Sequence, residues 1–84
     1  MNRIDWTPKA VKQLARLPKP ANAAIRRAVG GLQEFPATPN VKRLTAHSPA
    51  WRLRVGRYRV LFEFDGAVKI VTIEEVRKRN EHTY

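Results

Sequence analysis

The chain has 84 residues, with 17 Lys and Arg against 7 Asp and Glu, a net charge of +10 and a pI near 11.2. One domain, 1–84, fits that length, near the lower limit for a self-sufficient core. With no cysteine and only two histidines, far apart in the chain, it excludes disulfides and cysteine zinc sites, and no metal or cofactor is expected.

The charge suits a polyanionic partner: nucleic acid, an anionic membrane or an acidic protein. No apolar run approaches the ~20 residues that span a bilayer. Met1–Trp6 lacks the apolar region of a signal peptide. A soluble cytoplasmic protein is therefore expected, with no membrane partner.

Residues 2–6 alternate, with Ile4 and Trp6 around Asp5, and predict a short first strand. Thr7-Pro8 reads as an N-cap followed by proline at the first helical position. The first helix is predicted from about Pro8 to Leu17, with Ala10, Val11, Leu14 and Leu17 on one face. Pro18-Lys19-Pro20 ends it. A second helix is predicted from about Ala21 to Phe35, on a stripe of Ala21, Ala24, Ile25, Ala28, Val29 and Leu32. Gly30-Gly31 lies inside it, where each glycine costs ~1 kcal/mol relative to alanine. A kink and a close packing contact both fit that pair. Residues 36–49 read as a loop rich in proline. Val41-Lys42-Arg43-Leu44 interrupts it, placed to touch either the sheet or a ligand. His47, in this loop, reads as a solvated histidine.

Residues 51–64 carry the strongest signal. Apolar residues alternate with basic or polar ones, broken once at Gly56-Arg57. A Gly-X pair between alternating runs is a two-residue hairpin turn, because glycine tolerates the positive φ that the first position needs. The turn sets Val55 against Tyr58, Arg54 against Arg59 and Leu53 against Val60. Leu53, Val55, Tyr58, Val60, Phe62 and Phe64 then share one face, and Arg52, Arg54, Arg59, Leu61 and Glu63 the other. Arg54 opposite Arg59 is repulsive. Three guanidinium groups on one face of so basic a chain favour an anion-binding surface over a merely solvated one. Asp65-Gly66 is a second turn. The last strand is predicted over 68–76. A two-residue loop puts Val71 and Ile73 on the core face; a three-residue loop puts Val68, Ile70 and Thr72 there. The basic run Arg77-Lys78-Arg79 leaves this strand directly.

There is no Gly-rich phosphate loop, no paired-carboxylate motif and no serine or cysteine nucleophile motif. Two tasks remain: binding phosphate, or cleaving RNA without a metal. In the second, a 2′-OH attacks the adjacent phosphorus. A base takes its proton, cations stabilise the phosphorane and an acid protonates the leaving oxygen. Arginine suits the charge stabilisation. Histidine and tyrosine suit the proton transfers.

The segments Val41–Leu44, Trp51–Val60 and Lys78–Glu81, with Tyr84 at the end, resemble the RelE/ParE superfamily of type II toxin–antitoxin toxins. The order strand, two helices, three strands is similar too. The resemblance implies an α+β fold: a small twisted antiparallel sheet of about four strands, with the helical hairpin on one face and the active site on the other. RelE-type members cut messenger RNA in the ribosomal A site; ParE-type members poison DNA gyrase.

On the RelE pattern, Arg52 and Arg54 fall at basic positions of the second strand. Arg59 falls at the phosphate-contacting arginine of the third strand, and Arg79 at the arginine after the last strand. Tyr84 matches a C-terminal tyrosine that stacks on or orients the substrate, and His82 is placed for proton transfer. Lys42, Arg43, Arg77 and Lys78 are further phosphate-binding candidates. Arginine where RelE-type enzymes carry lysine departs from the pattern, since arginine is a poor base near pH 7.

The expected function is a ribosome-dependent endoribonuclease toxin, an mRNA interferase that inhibits translation. Its expected partners are an acidic antitoxin, in a toxin–antitoxin hetero-oligomer, with the ribosome and mRNA. A non-enzymatic gyrase-binding toxin and a basic RNA-binding module are the alternatives.

Overall fold

The computed structural model describes residues 1–78. The elements run β1 (Arg3–Trp6), α1 (Pro8–Ala15), α2 (Lys19–Gly30), β2 (Val41–Arg43), β3 (Trp51–Val55), β4 (Tyr58–Asp65) and β5 (Ile70–Lys78). The architecture is the α+β class expected, two helices packed on one sheet. The sheet has five strands in the order β1-β5-β4-β3-β2. β1 pairs parallel with β5 and the other pairs are antiparallel. The fifth strand is β2, formed by the Val41–Arg43 stretch inside the loop.

Local chemistry explains the helix boundaries. Thr7 caps α1: its side chain accepts from the Ala10 N–H at 3.1 Å, and Pro8 follows with its missing donor where none is needed. α1 ends at Ala15, short of Leu17, and the Leu14 carbonyl accepts from the Leu17 N–H at 3.1 Å and from Asn22 Nδ2 at 3.0 Å. Gly30-Gly31 marks where α2 gives way to a 3-10 turn over Gly31–Glu34. The helical stretch thus tightens at the glycine pair.

The hairpin adopts the expected register, with Val55 opposite Tyr58, Arg54 opposite Arg59 and Leu53 opposite Val60. Gly56 takes φ +55° at the turn, a conformation that a side chain resists. The β4–β5 loop has four residues, because Asp65 pairs with Ile70. The Asp65 carboxylate accepts from Ala67 N–H at 2.9 Å and from Val68 N–H at 3.4 Å, closing the turn. Four residues keep the parity of two, so Val71 and Ile73 reach the core face.

The core lies between the helices and one face of the sheet. It joins Ala10, Leu14, Ile25, Val29, Leu32 and Phe35 to Leu53, Val60, Phe62, Val71, Ile73 and Val76. Phe35 sits edge-on to Trp51, Phe62 and Phe64, with ring centroids 4.9, 5.3 and 4.9 Å away. Such pairs add to their area burial.

The 3-10 turn leaves carbonyls that no helix satisfies. Buried Asn2 ties this end down: its Nδ2 donates to the Phe35 carbonyl at 2.7 Å and, at 3.1 Å, to the Leu32 carbonyl, which also accepts from the Phe35 N–H. Asn2→Ala is expected to cost about 1–3 kcal/mol of unfolding free energy, because it takes the side-chain donor from the buried Phe35 carbonyl and one of two donors from that of Leu32. Urea denaturation at neutral pH measures it.

Candidate functional site: an arginine rung across the sheet

The face of the sheet opposite the helices carries the basic residues. β4 pairs with β3 on one side and β5 on the other, so its outward residues Arg59 and Leu61 each have two register neighbours. Arg59 lies opposite Arg54 on β3 and opposite Arg77 on β5. Arg54, Arg59 and Arg77 therefore form one rung across three strands. Directly opposed side chains have Cβ atoms about 4.5–5.5 Å apart. Arg59, in the middle, is only 8% exposed, whereas Arg54 and Arg77 are exposed. The next rung holds Lys42, Arg52, Leu61 and Glu75.

The third arginine reaches this rung through an irregularity in β5. Leu61 pairs with Glu75 and Phe62 with Ile73, so Glu74 has no partner on β4. This extra residue is a β-bulge, and it shifts the alternation by one. Ile73 and Val76 both enter the core, while Glu75 and Arg77 share the outer face. Strict alternation from Ile73 would have sent Arg77 inward.

The candidates divide between the two faces. Lys42, Arg52, Arg54, Arg59 and Arg77 are together on the outer face. Arg43 is one residue out of phase with Lys42, and its guanidinium lies 5.3 Å from the Trp51 ring centroid in a cation–π contact. Lys78 pairs with Tyr58, on the helix side of the sheet, at its exposed end. Arg79, His82 and Tyr84 lie outside the described residues. Arg52 Nε is buried with no hydrogen-bond partner among the described residues.

The sequence reading missed Glu75. Its carboxylate holds Arg77 Nε at 2.8 Å and Lys9 Nζ at 3.5 Å, so it offsets part of the repulsion along the rung. The signal was the pair Glu74-Glu75 between Ile73 and Val76, which breaks the alternation. His47 departs from the solvated reading: it is half-buried, and its Nδ1 lies 2.9 Å from the Pro49 carbonyl, which accepts. The same loop is fixed to the sheet by Glu63, which accepts from the Ala50 N–H at 3.1 Å. Among the described residues no cluster of metal-ligating side chains gathers, and no helix is long and apolar enough to cross a membrane.

On the opposite side of the sheet, an apolar groove of about 420 Å³ runs between β1 and the helical hairpin, lined by Ile4, Trp6, Val11, Leu14, Val29 and Arg26 among others. Val11, on α1, is 49% exposed.

Residues 4–83 match the family described as ParE toxin of the type II toxin–antitoxin system parDE. The chain belongs to that family of toxins. No curated protein matches it. Solved structures of RelE toxins have its fold. In the RelBE2 toxin–antitoxin complex of Mycobacterium tuberculosis, one chain is 28% identical with a TM-score of 0.79, over 93% of this toxin and 98% of that chain. The archaeal RelE–RelB complex of Pyrococcus horikoshii gives 24% identity and a TM-score of 0.81, over 95% and 97%. The isolated RelE toxin of E. coli gives 14% and 0.80, over 96% and 87%.

Glu75 gives the site a pH dependence. Burial pushes its carboxyl up, but the Arg77 hydrogen bond and charge, with Lys9, outweigh burial and hold it below the ordinary value of 4.5. The unfolded chain therefore takes up the proton more readily than the folded one. The stabilisation is present above 4.5 and is lost as pH falls through the folded-state value. Glu75→Gln is expected to be less stable than wild type at neutral pH, with the difference closing on the acid side of 4.5. Urea midpoints across that range test this; a constant difference would show that Glu75 ionisation contributes nothing.

Proposed function

We propose that this toxin is a metal-free endoribonuclease that cuts messenger RNA on the ribosome and so arrests translation. The observation that supports this reading is the rung of Arg54, Arg59 and Arg77. Arg59 is buried and flanked by paired strands, so its guanidinium is set before substrate arrives. A preorganised cation of this kind stabilises a phosphorane far better than a mobile one. Arg54 and Arg77, on either side and exposed, suit the flanking phosphates. Lys42 and Arg52 extend the positive surface, and the buried Arg52 Nε is a donor suited to an anion.

In this reading the 2′-OH attacks the neighbouring phosphorus in line with the 5′-oxygen. The phosphorus–5′-oxygen bond breaks, leaving a 2′,3′-cyclic phosphate and a 5′-hydroxyl. Arg59 holds the non-bridging oxygens as charge grows on them. The arginines cannot act as bases at pH 7. Proton transfer falls to His82, whose ordinary pKa is close to that range, with Tyr84 stacking on a base or orienting the donor. Arg79 adds a further phosphate contact.

One observation favours a second reading. The family match is to ParE toxins, and ParE-type members act on gyrase. There the rung and the basic tail would form a protein-binding surface.

The partner in either case is an acidic antitoxin. The RelBE2 and archaeal neighbours are toxin–antitoxin complexes, and +10 on a chain of 84 residues calls for an acidic complement. We place an apolar segment of that antitoxin in the groove beside Val11, with its acidic residues reaching the basic face. Binding only the native state also raises stability by mass action. The acidic reading frame beside the gene should co-purify with the toxin, and Val11→Glu should weaken the complex.

Expression in cells separates the two toxin readings. The nuclease reading requires translation arrest with cut mRNA at A-site codons. Gyrase-linked DNA damage with intact mRNA would overturn it. Arg59→Ala, shown to be folded by circular dichroism, is expected to lose roughly a hundredfold in cleavage rate, or ~3 kcal/mol of transition-state stabilisation. Arg59→Lys should recover only part, because it restores charge without the fork. Full cleavage by folded Arg59→Ala would remove this residue from the mechanism.

A further inference from the structure

We propose that Gln13, on α1, is a positioning residue for the arginine rung. It holds the bulge that keeps Arg77 on the outer face, opposite Arg59. The inference rests on the reading of that rung as a phosphate site.

β5 is longer than the strand beside it. β1 pairs with residues Ile70 to Ile73 and stops at Trp6. Beyond that point β5 has β4 on one side and no strand on the other. α1 takes the vacant edge with groups from its first turns. The Thr7 N–H donates to the Ile73 carbonyl at 3.0 Å, and the Thr7 hydroxyl to the Glu74 carbonyl at 3.2 Å. The Gln13 side-chain oxygen accepts from the Val76 N–H at 2.7 Å. Lys9 reaches Glu75 from the same helix. The bulge residue Glu74 lies between these contacts.

A bulge turns backbone groups away from the ladder that would otherwise use them. The Val76 N–H points out of the sheet edge, and Gln13 is the acceptor it finds. Arg77 is the next residue. A one-residue slip would carry Arg77 to the core side and Val76 to the outer side. The packing of Val76 resists that slip, and so does the Gln13 contact. Gln13 fixes the Glu75–Val76 peptide, one before Arg77's own, from the edge that β4 does not reach. Losing it leaves the strand held by Val76 and by its pairing with β4, but frees the outer edge of the bulge, so that Arg77 loses its fixed alignment with Arg59.

Two measurements test this on Gln13→Met, which keeps the length of the side chain and removes the acceptor. The first is the salt dependence of binding to a short single-stranded RNA made uncleavable by 2′-O-methylation. Each phosphate contact contributes about 0.7 to the slope of log K against log salt. Arg77→Ala is expected to lower the slope by about one contact, ~0.7. Gln13→Met should lower it similarly, and the double variant should fall no further. The second is a cross-strand nuclear Overhauser contact between Arg59 and Arg77, which Gln13→Met should weaken in the absence of RNA. If Gln13→Met fails to fold, Gln13→Asn takes its place with the same expectation, since its amide falls one methylene short. Retention of the Arg59–Arg77 contact, or a wild-type slope in Gln13→Met where Arg77→Ala lowers it, overturns the proposal. If Arg59→Ala and Arg77→Ala both leave the slope unchanged, the phosphate reading fails instead, and the Overhauser contact alone decides the positioning role.

Discussion

Three guanidinium side chains on one rung of a sheet repel one another, and the rest of this structure must hold them there. Like charges directly opposed across strands destabilise, by an amount comparable to the 0.2–1 kcal/mol or so of a favourable pair. The restraint comes from the other face. Val60 precedes Leu61 and follows Arg59, and both Val60 and Phe62 are fully buried. A slip of β4 by one residue would release Arg59 from its neighbours but would turn Val60 and Phe62 to the outside. Each large apolar side chain is worth about 1.5–3 kcal/mol of burial. The core therefore outweighs the repulsion, and the register that serves the core also sets the rung.

Most of that register was legible because it rests on local rules. The alternation over residues 51–64 and the glycine at position 56 define the hairpin without any long-range information. So do Thr7 and Pro8 at the start of α1. The features that were not legible depend on tertiary partners. β2 is three residues long, with two exposed basic side chains, and nothing but pairing with β3 makes it a strand. The parallel pairing of β1 depends on where the helical hairpin returns the chain. Asn2 carries no sequence signal, since its bonds are made to residues about thirty positions away.

The site was legible to the same degree. Arg52, Arg54 and Arg59 follow from the hairpin register alone. Lys42 and Arg43 could not be separated until β2 was known to be a strand; period two then puts one beside Arg52 and the other over Trp51. Arg77 needed the bulge. The sequence around it offers Ile73-Glu74-Glu75-Val76, in which two charged residues separate two apolar ones. A half-buried strand with strict alternation has to bury one of those glutamates. A bulge avoids that by looping one residue out, so the pattern and the structure have the same cause.

The helix side and the basic side of the sheet face opposite directions, yet one short helix serves both. α1 lends Val11 and Leu14 to the apolar groove and Thr7, Lys9 and Gln13 to the edge of β5. In eight residues an α-helix makes little more than two turns. Its faces therefore cannot move independently: a shift that deepens contact in the groove also moves the groups at the bulge. The exposed apolar groove and the rung are separate surfaces on opposite sides of the sheet. They are joined mechanically at the sheet edge where β1 ends and α1 begins.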